Sequence, residues 1–191
     1  MEEGVNALPW DRMGNMRLQV RILGCLLAVM MIVSCKKDKR EEFFELNHFV
    51  DFQITPGLNT FDTHFFVVSP LLSQLDTKLD AFGLTRDQIK TIEPKYAYLS
   101  GIFEDVNLDF IHQVSVYIFD PFNPSDKIEF FYLDPVPFKY KTGIQLFPGI
   151  ADVSDWIDRD YFGVEVRLTF REVTPSLTQM RLEFDLRALG E

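Results

Sequence analysis

Two runs near the C-terminus alternate strictly between apolar and polar residues, and this pattern constrains the fold more than any other feature of the sequence. Every even-numbered residue of 162–170 and of 180–188 is apolar, whereas the odd-numbered residues between them are charged, Thr or Gly. A period of two places alternate side chains on opposite faces of a β-strand. Because the segment 173–177 between the runs contains a proline, the sequence predicts an antiparallel hairpin with one buried and one solvated face.

Charges on the solvated face predict the register of this hairpin. Pairing Arg167 with Asp185 and Glu165 with Arg187 sets opposite charges across from each other, whereas a slip of two residues in either direction opposes like charges. Each complementary pair contributes about 0.2–1 kcal/mol. We therefore expect this register, although loop geometry can override it.

Six further segments have strand composition and are bounded by Pro, Gly, Asn or Asp. They are Phe49–Ile54, Asp62–Val68, Lys95–Phe103, Gln113–Phe119, Lys127–Leu133 and Gly143–Phe147. Eight strands in one domain indicate an all-β fold, and we expect an antiparallel two-sheet β-sandwich.

A short helical insertion near residues 70–93 interrupts the strands. Apolar residues at helical spacing predict a helix from Pro70 to Phe82, followed by a second short helix that begins at the capping box Thr85–Gln88 and ends at Pro94. A third helical turn is predicted over Ser154–Ile157, with Asp152 as its cap.

The N-terminal region has the organisation of an export signal. Twelve residues, Ile22–Val33, form an apolar run that follows Arg17 and Arg21 and precedes Ser34. This is typical of a signal peptide, and the run is shorter than the roughly 20 residues that a membrane-spanning helix needs. Residues 1–15 are acidic and fit neither a signal nor the fold, so we interpret them as a non-native extension preceding a start at Met16.

The residues Ile32-Val33-Ser34-Cys35 resemble a bacterial lipobox. The resemblance implies cleavage after Ser34, a thioether-linked diacylglycerol on Cys35 and an acyl group such as palmitate on the new amino terminus. A second match, ending at Cys25, has almost no apolar run before it, so we assign Cys25 to the signal. Ordinary secretory cleavage and an uncleaved helix remain the alternatives. The predicted organisation is a signal peptide at 16–34, a lipidated and charged tether at 35–42, and a domain at 43–191.

Lys36 and Lys37 after the lipobox resemble the tethers of Bacteroidetes outer-membrane lipoproteins. The whole chain resembles small members of this group that have immunoglobulin-like or related sandwich domains. The resemblance implies a lipid anchor in the outer membrane, with the domain facing the periplasm or the cell surface, and a surface protein or glycan as partner. It implies no activity, so we expect a non-catalytic binding or assembly-accessory domain.

Charge and cysteine content exclude several other functions. With 19 Lys and Arg against 29 Asp and Glu, a net charge of −10 opposes binding to nucleic acid phosphates. Both cysteines lie at or before position 35, so the domain has no disulfide, thiol nucleophile or cysteine-bound metal. The three histidines have no ligand spacing, and we predict no cofactor and no catalytic residue. A cell-envelope hydrolase that uses a carboxylate pair remains an alternative.

An acidic cluster near the last hairpin is a weak candidate for Ca²⁺. Its members are Asp152, Asp155, Asp158 and Asp160. Carboxylates suit Ca²⁺, but the spacing lacks the alternate acids and the turn glycine of a calcium loop. A capped, solvated helical turn is the favoured interpretation.

Aromatic residues make up 14% of the chain and are dense between Phe119 and Tyr140. On a regular strand Phe131 points away from Phe130, so we expect a strand covered on both faces, with the 70–82 helix over the second face. The alternative is an exposed aromatic rim that binds a glycan or a peptide. Its candidate residues are Phe122, Tyr132, Phe138 and Tyr140.

Overall fold

The computed structural model describes residues 40–103, 106–138 and 142–190. Within these ranges the fold is all-β, as predicted. The chain from Arg40 to Glu191 forms one compact unit. The predictions for the signal peptide, for lipidated Cys35 and for Tyr140 concern positions that fall outside the described residues.

Eight strands account for most of the domain, and the first of them is eight residues longer than predicted. They are β1 Glu41–Ile54, β2 His64–Leu72, β3 Ile89–Gly101, β4 Ile111–Asp120, β5 Asn123–Leu133, β6 Gly143–Pro148, β7 Tyr161–Phe170 and β8 Thr178–Gly190. The existence of every predicted strand is confirmed.

All eight strands belong to one antiparallel sheet in the order β1-β8-β3-β6-β5-β4-β7-β2, and this sheet nearly closes into a barrel. At the seam, the rings of Phe52 on β1 and Phe66 on β2 lie 5.0 Å apart. The expected two-sheet sandwich is not confirmed. The two four-stranded halves of the sheet face each other across one core, but β5 and β6 join them through the pairs Phe131–Pro148 and Tyr132–Phe147.

The predicted C-terminal hairpin is wrong, although its alternation is confirmed. The even-numbered residues of both runs are fully or almost fully buried. However, β7 pairs with β4 and β2, whereas β8 pairs with β1 and β3, so residues 171–177 cross from one half of the sheet to the other. The charges find other partners: Arg187 bonds Glu93 at 2.9 Å, and Glu165 bonds Lys127 at 2.9 Å.

The helical insertion is shorter than predicted. Helix α1 covers Leu75–Phe82, because Pro70 and the two leucines after it extend β2. The capping box at Thr85 forms, but it opens a single 3-10 turn, and β3 begins at Ile89 and continues through Pro94.

The predicted third helical turn is confirmed with its bounds. Helix α2 covers Ser154–Ile157. Oδ1 of Asp152 accepts hydrogen bonds from the backbone N–H of Ser154 at 3.0 Å and of Ile92 at 3.1 Å. The acid therefore fastens the start of α2 to β3, but the N-cap position is Val153, so the prediction of Asp152 as the cap is wrong.

A β-bulge explains the aromatic density of β5. Val116 pairs with Phe131 and the next residue, Tyr117, pairs with Glu129, so Phe130 is the extra residue of the bulge. Both phenylalanines are therefore fully buried in the same core, with their rings 4.8 Å apart. The prediction of a strand covered on two faces, with the helix over the second, is wrong because it assumed unbroken alternation.

The two ends of the barrel differ in what covers them. At one end of the barrel, Gly190 at the end of β8 pairs with Glu41 at the start of β1 and with Ile89 at the start of β3. Helices α1 and α2 lie at the same end, which we call the cap end. The opposite end carries the connections 55–63, 102–110, 134–142 and 171–177. We call it the loop end.

Candidate functional site

The loop end displays large apolar side chains to solvent. Phe61 is 94% exposed, Phe138 82% and Phe103 66%, and each lies in a different connection. Val173 and Leu177 in the fourth connection are also exposed. Single exposed apolar residues are ordinary, but a group of them on neighbouring loops is typical of an interaction surface.

Arg171 holds three of these loops in place. Its guanidinium donates hydrogen bonds to the backbone carbonyl of Asp109 at 2.9 Å and to those of Ile111 and Val136. It also lies 5.4 Å from the centre of the Phe138 ring, within the range of a cation–π contact. One side chain therefore fixes the connections 102–110 and 134–142 relative to the end of β7.

Thr174 fastens the connection 55–63 to the connection 171–177. It is buried, and its hydroxyl donates to the carbonyl of Thr55 at 2.7 Å and accepts from the N–H of Leu58 at 2.9 Å. Its own carbonyl accepts from Gly57 at 2.9 Å, where φ of +86° suits a glycine.

Phe61 is presented by a local turn. Oδ1 of Asn59 accepts from the backbone N–H of Phe61 at 3.0 Å and of Asp62 at 2.9 Å, which is an Asx turn. Phe61 thus sits on a turn that is held by hydrogen bonds within the chain. Preordered loops lower the entropy cost of association.

The three described residues of the predicted aromatic rim, Phe122, Tyr132 and Phe138, do not come together. Phe122 lies in the β4–β5 turn at the cap end, whereas Phe138 lies at the loop end. Tyr132 projects from the outer face of β5, with its ring 6.2 Å from that of Phe147. Tyr140 lies outside the described residues. Sequence proximity grouped these residues, but β4 and β5 carry Phe122 to the opposite end from Phe138.

The structure also does not gather the four acids of the calcium candidate. Across the described ranges, no three His, Cys, Asp or Glu side chains form a group that could hold a metal ion. Asp152 instead binds backbone N–H groups, and Asp158 forms an ion pair with Arg86.

A cavity of about 480 Å³ lies at the cap end, between the 3-10 turn, β3 and α2. Its lining includes Arg86, Asp158 and Arg159. Arg86 bridges Asp76 and Asp158, and Arg159 pairs with Asp120. The Arg86 pairs join the cap elements to one another, and the Arg159 pair joins them to the end of β4, so we interpret the cavity as part of the scaffold.

The ionisation of the carboxyl groups bears on the hydrolase alternative. Among the described carboxyl groups whose pKa values clearly depart from the ordinary range, all are lowered: Glu45, Asp51, Asp87, Asp120 and Glu165. A general acid needs a raised pKa. These five groups therefore do not supply one.

His48 is a partly buried histidine in the core. Its ring lies 5.2 Å from that of Phe162 and 5.3 Å from that of Phe184, and its Nε2 has no hydrogen-bond partner among the described residues. Burial lowers the pKa of His48 to about 4, although the negative charge of Asp185 acts to raise it. The ring is therefore neutral in the folded protein near pH 7.

We expect the domain to lose stability as the pH falls from about 6.5 to about 4, because the unfolded chain then binds a proton at His48 that the folded chain does not. The loss from this residue should reach about 2–3 kcal/mol at the acid end of that window. Urea unfolding at several pH values measures it. A His48→Phe variant should show a flatter profile over this window than the parent chain, and an unchanged slope would contradict the assignment.

No described helix is both long enough and apolar enough to cross a membrane. No protein-family model matches this chain, and no curated protein matches it either.

Proposed function

We propose that this chain is a lipid-anchored outer-membrane protein whose non-catalytic domain binds a partner through its loop end. The anchor rests on the lipobox resemblance at Cys35 and on the signal pattern before it. The observation that carries the binding role is the set of exposed phenylalanines on loops that Arg171 and Thr174 hold in place.

The short tether supports an orientation in which the loop end faces away from the membrane. Five residues lie between Cys35 and Glu41 at the start of β1, and the six Cα-to-Cα steps that join them reach at most about 20 Å. Because β1 begins at the cap end, an acylated Cys35 keeps that end close to the bilayer. The loop end then lies farther out by up to the length of β1, about 40 Å.

Exposed apolar groups at the two ends then have different surroundings. Phe122 at the cap end is 89% exposed and is held near the lipid headgroups. Phe61, Phe103 and Phe138 point away from the membrane, where another envelope protein can reach them. Aromatic side chains on a rigid frame are common anchors of protein interfaces.

Site-specific photocrosslinking in the native host tests this proposal. A benzophenone amino acid is placed at Phe61, Phe103 or Phe138, and in matched variants at Phe82 or Phe122 of the cap end. We expect discrete, higher-mass protein adducts from the loop-end positions and no such adducts from the cap-end positions. Adducts of equal yield from both ends, or none from the loop end, would contradict the assigned binding surface.

A further inference from the structure

A notch opens on the outer face of the sheet beside the loop end. Five outward side chains follow one another across neighbouring strands as cross-strand partners: Phe147, Tyr132, Ser115, Arg167 and Phe65. Four of them are large and the central Ser115 is small. The row therefore has a gap at its middle, over β4.

A cavity of about 150 Å³ occupies this gap. Its lining comprises Thr63, Gln113, Ser115, Tyr117, Arg167 and Thr169. Pockets for drug-sized ligands are usually about 300–1,000 Å³. The notch is smaller, and its size suits one ring-shaped unit of a longer molecule.

The charge of the notch is already satisfied. Arg167 bonds Glu165 at 2.7 Å, and its guanidinium lies 3.8 Å from the centre of the Tyr117 ring and 5.3 Å from that of Phe65. Burial raises the pKa of Glu165, but hydrogen bonds from Lys127 and Arg167 outweigh it and lower the pKa overall. Because its cation is paired, the notch offers little to an anionic ligand.

The uncharged polar groups of the lining are uncommitted. The side chains of Thr63, Gln113, Ser115 and Thr169 form no hydrogen bond with any described residue, and Oγ1 of Thr169 is buried without a partner. Three hydroxyl groups and one amide can each donate and accept. Such a set complements a ligand whose own groups both donate and accept, namely adjacent hydroxyl groups.

Exposed aromatic rings lie beside the notch without lining it. Tyr132, the cross-strand partner of Ser115, is 42% exposed, and on the other side the exposed ring of Phe65 lies beyond Arg167. Aromatic rings provide flat apolar surfaces, and the tyrosine has in addition a polar edge. An apolar face beside several hydroxyl groups is the chemical character of a sugar ring.

We propose that this notch binds one neutral sugar unit of a glycan. The inference goes beyond the binding role proposed above: it adds a second site with its own ligand class, and it requires neither the lipid anchor nor the phenylalanines of the loop end.

Saturation-transfer NMR of the full chain tests the inference. The protein is held in lauryldimethylamine oxide, a detergent without a sugar headgroup, and is titrated with the methyl glycosides of glucose, galactose, mannose, xylose and N-acetylglucosamine. We expect transfer to the ring protons of at least one neutral glycoside and weaker transfer to methyl glucuronide. Absence of transfer to every neutral sugar, or stronger transfer to the glucuronide, would overturn the proposal.

Matched serine variants locate the site. Ser115→Val fills the gap with two methyl groups and should weaken sugar binding about tenfold or more, whereas Ser100→Val makes the same change on β3 and should leave binding unchanged. Gln113→Leu provides a second variant that removes hydrogen bonding without filling the gap. Equal binding by the parent chain, Ser115→Val and Gln113→Leu would overturn the assignment.

The two proposals fail separately. If the loop end forms its crosslinks but no sugar binds, only the proposal for the notch is overturned. Sugar binding without loop-end crosslinks overturns the protein-binding surface and leaves the notch.

Discussion

Replacing Phe184 with alanine should lower the free energy of unfolding by about 3–5 kcal/mol. The side chain is fully buried at the centre of the core, where its ring meets Phe130 at 5.5 Å, Phe131 at 6.3 Å and Phe162 at 6.5 Å. These rings come from both halves of the sheet. The cavity left by the substitution cannot collapse easily, because rings from β5 and β7 in the other half of the sheet form its walls.

Urea unfolding measures this effect as a fall in the midpoint concentration with little change in the slope. Phe61→Ala provides the matched control, because that ring is almost fully exposed and its loss should change stability by no more than about 0.5 kcal/mol. Equal midpoints for the two variants would contradict the placement of Phe184 at the junction of the two halves.

Replacing Cys35 with alanine should abolish fatty-acid labelling and release the protein from the membrane fraction. Each buried methylene of an acyl chain contributes about 0.8 kcal/mol to membrane binding, so losing the anchor lowers partitioning by many orders of magnitude. Metabolic labelling with an alkyne fatty acid, followed by membrane fractionation, measures both effects.

Cys25→Ala is the matched control for that experiment, because Cys25 ends the second lipobox-like sequence. This variant should keep its label and its membrane association. If the label instead depends on Cys25, the cleavage position and the length of the tether are wrong. If it depends on neither cysteine, the lipid anchor itself is wrong.

Much of the local structure could be predicted from the sequence, because period-two alternation reports which face of a strand is buried. It does not report which strand lies alongside. Arg167 and Asp185 have complementary charges, yet they do not pair. Arg167 lies between Phe65 and Ser115 on the neighbouring strands, and Asp185 accepts a hydrogen bond from Asn47 at 2.8 Å. A loop of seven residues is long enough to leave one half of the sheet and enter the other, so the pairing could not be predicted from charge.

Departures from regular geometry limited the remaining predictions. The bulge at Phe130 shifts the alternation of β5, so that Phe130 and Phe131 both face the core. No Gly, Pro, Asn or Asp at this point of the sequence indicates a bulge. Pro70 was predicted to start the helix, a position that suits proline, but it lies in the edge strand β2, where the other side of the strand is unpaired.

The candidate site was predictable only in part. Phe138 and Tyr132 were found from aromatic density. Phe61 was not, because it stands alone in its loop, and Phe103 was not, because it was assigned to the strand Lys95–Phe103, whereas β3 ends at Gly101. The sequence does offer one signal for Phe61, namely Asn59 two residues before it. Asn at this spacing favours an Asx turn, and a phenylalanine held in a turn can be exposed instead of packing in the core. The roles of Arg171 and Thr174 depend on contacts between loops distant in sequence, which residue types alone do not reveal.

Mass analysis of the N-terminal peptide of the mature protein is a direct test of the lipid anchor. We predict that this peptide begins at Cys35, carries a diacylglycerol on the sulfur and an acyl group on the amino terminus, and continues with Lys36. A mature chain that begins elsewhere, or that retains Cys35 without lipid, would contradict the proposed anchor and the orientation of the loop end that follows from it.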